Sequence, residues 1–104
     1  MTAKDLLTEK RGEILRVAAS HGARNVRVFG SVARGEADEQ SDIDLLVEFE
    51  PERSLLDHAA LWVDLQELVG CKVDVVSDRG INPRIRARVL REAVPLSTFE
   101  GQRQ

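Results

Sequence analysis

Apolar and polar positions along the chain follow two periods, one helical and one of alternation. The helical period predicts helices over residues 2–21, 55–69 and 83–93, with a single helical turn at 32–34. Alternating and β-branched stretches predict strands over 25–29, 42–50 and 72–77. The order of these elements predicts an α/β or α+β fold, with a small mixed sheet of three or more strands flanked by helices that cover one side of it.

Capping residues define two of the predicted helices. Ser54 is an expected N-cap, Asp57 follows at the N3 position, and Gly70 is an expected C-terminal stop. Asn82-Pro83 is expected to start the last helix, with Asn82 as its N-cap and Pro83 at the first helical position. A polar, acidic loop is expected over 36–40.

The helical spacing also predicts which side chains are buried. Trp62 is expected in the core rather than in a ligand platform. The last helix is expected to bury Ile85, Val89, and Leu90 or Ala93.

Composition narrows the class of protein. The 104 residues predict a single domain spanning 1–104, with 42% hydrophobic and 32% charged residues. Neither a long apolar run nor a basic-then-apolar N-terminus is present, so we expect no membrane segment and no signal peptide. The single cysteine, Cys71, favours a reducing cytoplasm. A net charge of −3 argues against direct nucleic-acid binding.

Three aspartates stand inside predicted strands, where aspartate is disfavoured. Asp42 and Asp44 are two residues apart and share one face of the second strand, roughly 6.6 Å apart along the chain. Asp74 lies between valines of the third strand. Three negative charges that meet on one sheet face need a cation. Ligands that are all oxygen favour Mg²⁺ or Mn²⁺ over zinc.

A Gly30-Ser31 turn closes the first strand and precedes the short helical turn. Beside the aspartates, such a turn offers backbone N–H groups to a phosphate, which predicts a metal–triphosphate site. Ser31 has a second, compatible role as the N-cap of the short helix. Arg34 either contacts phosphate or is a surface residue, and the sequence does not separate the two.

Gly30-Ser31, ten intervening residues and then Asp42-Ile43-Asp44 resemble the signature of the polymerase-β-like nucleotidyltransferase superfamily. The surrounding Gly-Ser-Val-Ala-Arg-Gly and Ser-Asp-Ile-Asp-Leu-Leu-Val are similar to its minimal, stand-alone members. These minimal nucleotidyltransferases (MNT) are typically antitoxins paired with HEPN-domain ribonuclease toxins. The resemblance covers roughly residues 10–95, and Asp74 matches the family's third carboxylate in type, order and context.

The resemblance implies a role for each motif residue. Asp42 and Asp44 would coordinate two Mg²⁺ ions, and Asp74 would bind the catalytic ion and help to take the proton from an attacking hydroxyl. Gly30 and Ser31 would hold the β- and γ-phosphates of ATP. Attack on the α-phosphate would then yield a nucleotidyl ester and pyrophosphate.

The leading hypothesis is transfer of AMP from ATP to a tyrosine of a HEPN-type toxin, which makes the chain an antitoxin. Its basis is the complete motif set together with the lack of an acceptor-binding helical domain. The alternatives are an antitoxin that blocks its toxin by binding alone, and a nucleotidyltransferase for small molecules such as antibiotics. The sequence does not identify the base of the nucleotide.

Three arginines of the last predicted helix, Arg84, Arg88 and Arg91, fall on one face. The simpler interpretation is a solvated face. The alternative is a docking surface for an acidic partner or for RNA.

Overall fold

Four strands and five helices, with two 3₁₀ turns, make up the part of the chain that a computed structural model describes, residues 2–36 and 42–99. The helices are α1 (Ala3–Glu9), α2 (Arg11–Ser20), α3 (Gly30–Arg34), α4 (Leu55–Val69) and α5 (Pro83–Glu92). The strands are β1 (Ala23–Phe29), β2 (Ile43–Phe49), β3 (Val73–Ser77) and β4 (Val94–Pro95). The predicted loop at 36–40 lies, apart from Glu36, outside the described residues. Within those residues, no helix has the length and apolar character needed to cross a bilayer.

The strands form one mixed sheet in the order β3-β2-β1-β4. β2 and β3 are parallel, and β1 runs antiparallel to both β2 and β4. The predicted fold class, a small mixed sheet flanked by helices, is therefore confirmed. β4 was not predicted, because two residues that include Pro95 carry no alternation signal.

The prediction of one N-terminal helix over 2–21 is wrong in one respect, because the structure has two helices there, α1 and α2. The break is at Lys10, whose ψ of 15° departs from helical geometry. A capping box between Thr2 and Asp5 starts α1. The guanidinium of Arg11 donates to the carbonyl of Phe99, which ties the start of α2 to the C-terminal segment.

The sheet is covered on both faces, which corrects the prediction that helices cover only one side. Residues 43, 45 and 47 of β2 pack with α1, α2 and α4 in the main core. Leu46, on the opposite face, packs in a second cluster with Val89 of α5 and Ile81. α5 therefore lies across the sheet from α4.

α5 contacts the sheet through a narrow stripe. Val89 is buried as predicted, and Ala93 packs partly buried against the second cluster. The predicted burial of Ile85 and Leu90 is wrong, since they are 39% and 38% exposed. The arginines predicted on one face of this helix, Arg84, Arg88 and Arg91, are exposed.

α4 begins and ends at the predicted residues, with Ser54 and Asp57 in a capping box and Gly70 in the left-handed C-terminal position. The prediction that Trp62 lies in the core is wrong, because this side chain is 41% exposed. Its indole N–H donates to the carbonyl of Val73 at 2.7 Å. Trp62 therefore fastens α4 to the outer edge of β3.

Two further side chains of α4 bind the same edge. His58 Nε2 lies 2.7 Å from the carbonyl of Val75, and since a carbonyl only accepts, Nε2 carries the proton. The Val73 N–H donates to Gln66 Oε1 at 3.2 Å. Four-residue spacing places His58, Trp62 and Gln66 on one stripe of the helix. These side chains therefore form hydrogen bonds with backbone groups on the outer edge of β3. In the described sheet, no fifth strand pairs with these groups.

Replacing Trp62 by Phe tests this fastening. Trp62→Phe keeps an aromatic ring and removes the N–H donor, which leaves the carbonyl of Val73 without its partner. We expect the free energy of unfolding to fall by about 1–2 kcal/mol in urea denaturation. Val63→Ala, at an exposed neighbouring position, is the control and should change it by less than about 0.5 kcal/mol. Equal losses in the two variants would contradict the role of the indole hydrogen bond.

Candidate active site

The parallel pairing of β2 and β3 places two of the predicted site residues side by side. Asp44 and Asp74 are register partners, so their side chains emerge next to each other on the same face of the sheet. This is the face that carries α5 and not the main core. The juxtaposition of Asp44 and Asp74 expected from the sequence is therefore present.

Asp44 lies in an electrostatically unfavourable environment. Burial raises its pKa to about 6, and the charges of Asp74 and Asp42 and a hydrogen bond shared with Asp74 act in the same direction. Within the described residues, the positive charge of Arg34 opposes this effect. The aspartate pair therefore favours a proton or a cation between its carboxylates.

Asp42 stands apart from this pair. It precedes β2, and its carboxylate lies 3.7 Å from Lys72 Nζ, with 42% of the side chain exposed. In the described part of the chain, no three His, Cys, Asp or Glu side chains are arranged so that they could hold a metal ion. The geometry thus shows a carboxylate pair with a third carboxylate nearby, and the predicted metal-binding role of the three aspartates stays a prediction.

The donor chemistry of the pair suits a hard divalent cation. Asp44 and Asp74 offer only oxygen, which Mg²⁺ and Mn²⁺ prefer. Burial and the neighbouring Asp74 raise the pKa of Asp44, so a cation beside its carboxylate would stabilise the ionised form. Asp42, 42% exposed and 3.7 Å from Lys72 Nζ, is the third nearby carboxylate. These residues fit a magnesium or manganese site.

Gly30 brings the predicted phosphate-binding turn against the carboxylates. Its φ is +77°, a left-handed conformation that favours glycine. A Cβ at this position would overlap Asp44 Oδ2 and would lie 3.1 Å from the Asp44 Cγ. Glycine is therefore required here twice, by the backbone angle and by the close approach of Asp44.

Ser31 and Arg34 follow Gly30 within α3. Phe29 occupies the N-cap position of α3, so the alternative in which Ser31 is the N-cap is wrong. The Arg34 side chain is 43% exposed and pairs with Glu36 at 3.0 Å and with Glu92 at 3.2 Å. Arg34 is thus an exposed arginine beside the turn that pairs with two carboxylates, and its phosphate-binding role stays a prediction.

Glu92, which sequence reasoning missed, joins this turn from α5. Its Oε2 accepts a hydrogen bond from the Gly30 N–H at 3.0 Å. The group that was predicted to hold a phosphate therefore has a protein partner. A sequence signal was available, because Glu92 is an acid in the last turn of a helix, where the helix dipole disfavours negative charge.

A cavity lies beside the carboxylate pair, along the outer edge of β3. Its volume is about 410 Å³, within the range of small-molecule sites. It is lined by Asp44, Leu55, His58, Ala59, Trp62, Asp74, Val75 and Val76. Apolar and aromatic side chains of α4 thus face a site whose charged end is Asp44 and Asp74.

The electrostatics predict that Asp44→Asn stabilises the metal-free protein at high pH. The folded state raises the pKa of Asp44 from 3.8 to about 6, so it binds this proton more tightly than the unfolded chain does. This group's contribution to the unfolding free energy therefore falls as pH rises from about 4 to 6. Solvent screens this partly exposed group. We therefore expect Asp44→Asn to raise the free energy of unfolding by about 1–2 kcal/mol at pH 8 and to leave it almost unchanged at pH 4.

Urea denaturation in EDTA at both pH values measures this difference. Glu67→Gln is the matched control, since its carboxylate is exposed on α4 and does not contribute to the pKa of Asp44. We expect it to change the unfolding free energy by less than about 0.5 kcal/mol at either pH. A loss of stability in Asp44→Asn at pH 8 would contradict the electrostatic interpretation.

Comparisons with known proteins agree with this geometry. Residues 13–96 match the family model described as nucleotidyltransferase domain. Protein adenylyltransferase MntA of Thermococcus cleftensis is 47% identical over 73 residues, which cover 70% of this chain and 74% of that protein. A Methanocaldococcus jannaschii protein, provisionally assigned as a protein adenylyltransferase, is 42% identical over 88 residues, or 85% of this chain and 95% of the relative.

Solved structures share the fold. A structure provisionally assigned as a minimal nucleotidyltransferase is 57% identical, with a TM-score of 0.81, and the match covers 91% of this chain and 96% of that one. A chain in a toxin–antitoxin complex with AMP-PNP has a TM-score of 0.71 at 21% identity, over 82% of this chain and 70% of that one. At that identity the likeness shows the fold alone.

The family model spans most of the chain, and the relatives above carry protein adenylyltransferase names. This chain belongs to the nucleotidyltransferase domain family, in its minimal form.

Proposed function

We propose that this nucleotidyltransferase transfers AMP from ATP to the hydroxyl of a tyrosine in a HEPN-type toxin, and that it is the antitoxin of that pair. The observation that carries the proposal is the contact of the Gly30 turn with Asp44, beside Asp74. This places a predicted triphosphate-binding turn against predicted metal ligands. The adenylyltransferase names of the relatives support AMP as the transferred group.

Asp44 and Asp74, with Asp42 joining them, would hold two Mg²⁺ ions or Mn²⁺ in their place. When bound, such ions neutralise the triphosphate and lower the pKa of a nucleophile. The hydroxyl oxygen forms a bond to the α-phosphorus, and the bond from this phosphorus to the bridging oxygen of the β-phosphate breaks. Pyrophosphate leaves, and the Asp74 carboxylate accepts the hydroxyl proton.

Ser31 and Arg34 would contact the β- and γ-phosphates. Both lie in α3, immediately after the turn that touches Asp44. The nucleoside would occupy the 410 Å³ cavity, whose charged end is formed by Asp44 and Asp74. Trp62 lines this cavity and offers an aromatic face to a base.

A protein acceptor suits the exposed surroundings of the site. Asp42 is 42% exposed, and Leu55 and Leu56, at the start of α4, are 84% and 80% exposed. A chain in the complex of a tri-AMPylated Shewanella oneidensis HEPN toxin with an MNT antitoxin has a TM-score of 0.63 at 20% identity, over 89% of this chain and 71% of that one. That likeness motivates the choice of a HEPN partner. The free Cys71 is in keeping with action in the cytoplasm.

Mass spectrometry of the partner tests the proposal. A HEPN-type partner incubated with this chain, ATP and Mg²⁺ should gain mass in steps of one AMP. Asp44→Asn should slow this gain on the order of 100-fold or more, because it removes a ligand that stabilises the reacting phosphates. EDTA should abolish the gain. Glu67→Ala, which removes an exposed carboxylate from α4, is the control and should leave the rate unchanged.

The same variants separate the alternatives. If Asp44→Asn and Asp42→Asn still rescue growth from the toxin at unchanged expression, the chain acts as a binding antitoxin and the catalytic proposal fails. If the partner gains no mass while small hydroxyl compounds trigger release of pyrophosphate, the acceptor is a small molecule.

A further inference from the structure

Glu92 connects two parts of the turn that precedes the aspartates. Its Oε2 accepts a hydrogen bond from the Gly30 N–H at 3.0 Å, and its Oε1 and Oε2 lie 3.3 and 3.2 Å from Arg34 Nη1. Only 18% of the Glu92 side chain is exposed, against 43% for Arg34. One carboxylate thus holds both the backbone and the arginine of the turn.

The position of Glu92 in α5 does not favour an acid. It is the last residue of that helix, where the dipole disfavours a negative side chain. The charges of Asp44 and Asp74 also lie on this face of the sheet. The contacts with Gly30 and Arg34 are the features of the structure that account for an acid here.

We infer that Glu92 is a positioning residue for nucleotide binding, acting through Gly30 and Arg34 and not by contact with the reacting atoms. This inference rests on the proposed function, in which the turn binds triphosphate. It also refines that function: with the Gly30 N–H held by Glu92, the phosphate contacts fall to Ser31 and Arg34.

The geometry of Gly30 explains why the turn needs such a residue. Its left-handed backbone lies against Asp44 Oδ2, where no Cβ fits. A hydrogen bond to its N–H fixes the orientation of the peptide plane that enters this crowded position. Both Glu92 oxygens contact one guanidinium nitrogen of Arg34, and this ion pair orients the planar group, whose shape suits a phosphate. Glu92 thereby sets where the turn and the arginine stand before ATP arrives.

Binding of ATP to the isolated chain with Mg²⁺ tests this role without any partner protein. Glu92→Ala removes both contacts, and we expect the Kd for ATP to rise on the order of 10-fold, as for other residues that orient ligand-binding groups. Glu92→Gln keeps an oxygen for the Gly30 N–H and loses the ion pair, so its effect should be smaller. Glu67→Ala is the matched control and should bind ATP like the wild type.

Two measurements separate positioning from a general loss of structure. Hydrogen exchange at the Gly30 amide should quicken in Glu92→Ala and stay slow in Glu92→Gln, while the paired amides of β1 remain protected in both variants. In partner modification, KM for ATP should rise in Glu92→Ala with little change in kcat. Arg34→Ala combined with Glu92→Ala should weaken binding by less than the product of the single effects, because one residue acts through the other.

Tighter ATP binding in Glu92→Ala would overturn the inference, because it would mean that the carboxylate competes with a phosphate for the turn. Unchanged binding in both Glu92 variants would also overturn it and would leave Glu92 a residue of the fold alone. In either case normal binding by the wild type leaves the proposed function intact. A wild-type chain that binds no ATP in Mg²⁺ would refute both.

Discussion

The parallel pairing of β2 with β3 is the constraint on which the site depends. Register places Asp44 opposite Asp74, and two carboxylates side by side repel each other. The core residues on the reverse face of these strands, Ile43 and Val73, are fully buried and keep the register in place. Hydrophobic burial on one face of the sheet thus keeps two carboxylates side by side on the opposite face. Without this constraint, their repulsion would separate them.

The turn at Gly30 is built to tolerate this charged pair. It approaches Asp44 so closely that only glycine fits, and its N–H is held from the other side by Glu92. Strand pairing, turn and the end of α5 are therefore mutually dependent, although they come from distant parts of the chain. A substitution in any one of these three parts would therefore alter the geometry of the other two.

Features that depend on neighbouring residues in the chain could be predicted from the sequence. The caps of α4, the aspartates in strands and the glycine turn each follow from short-range chemistry. The break at Lys10, the two-residue strand β4 and the role of Glu92 depend on contacts with distant segments, which periodicity does not record. Trp62 was misplaced for a related reason: helical spacing shows an apolar stripe but not the backbone edge to which the indole bonds.

The three side chains that α4 lays along β3 also determine how another protein can approach. An unpaired strand edge is a template for adding a foreign strand. At β3, Trp62 and His58 occupy the outward carbonyls, while β4, the opposite edge of the described sheet, has only two residues and one is proline. A partner that binds at these edges must therefore recognise side chains. The specificity of such an interface depends on residues that can diverge without altering the fold.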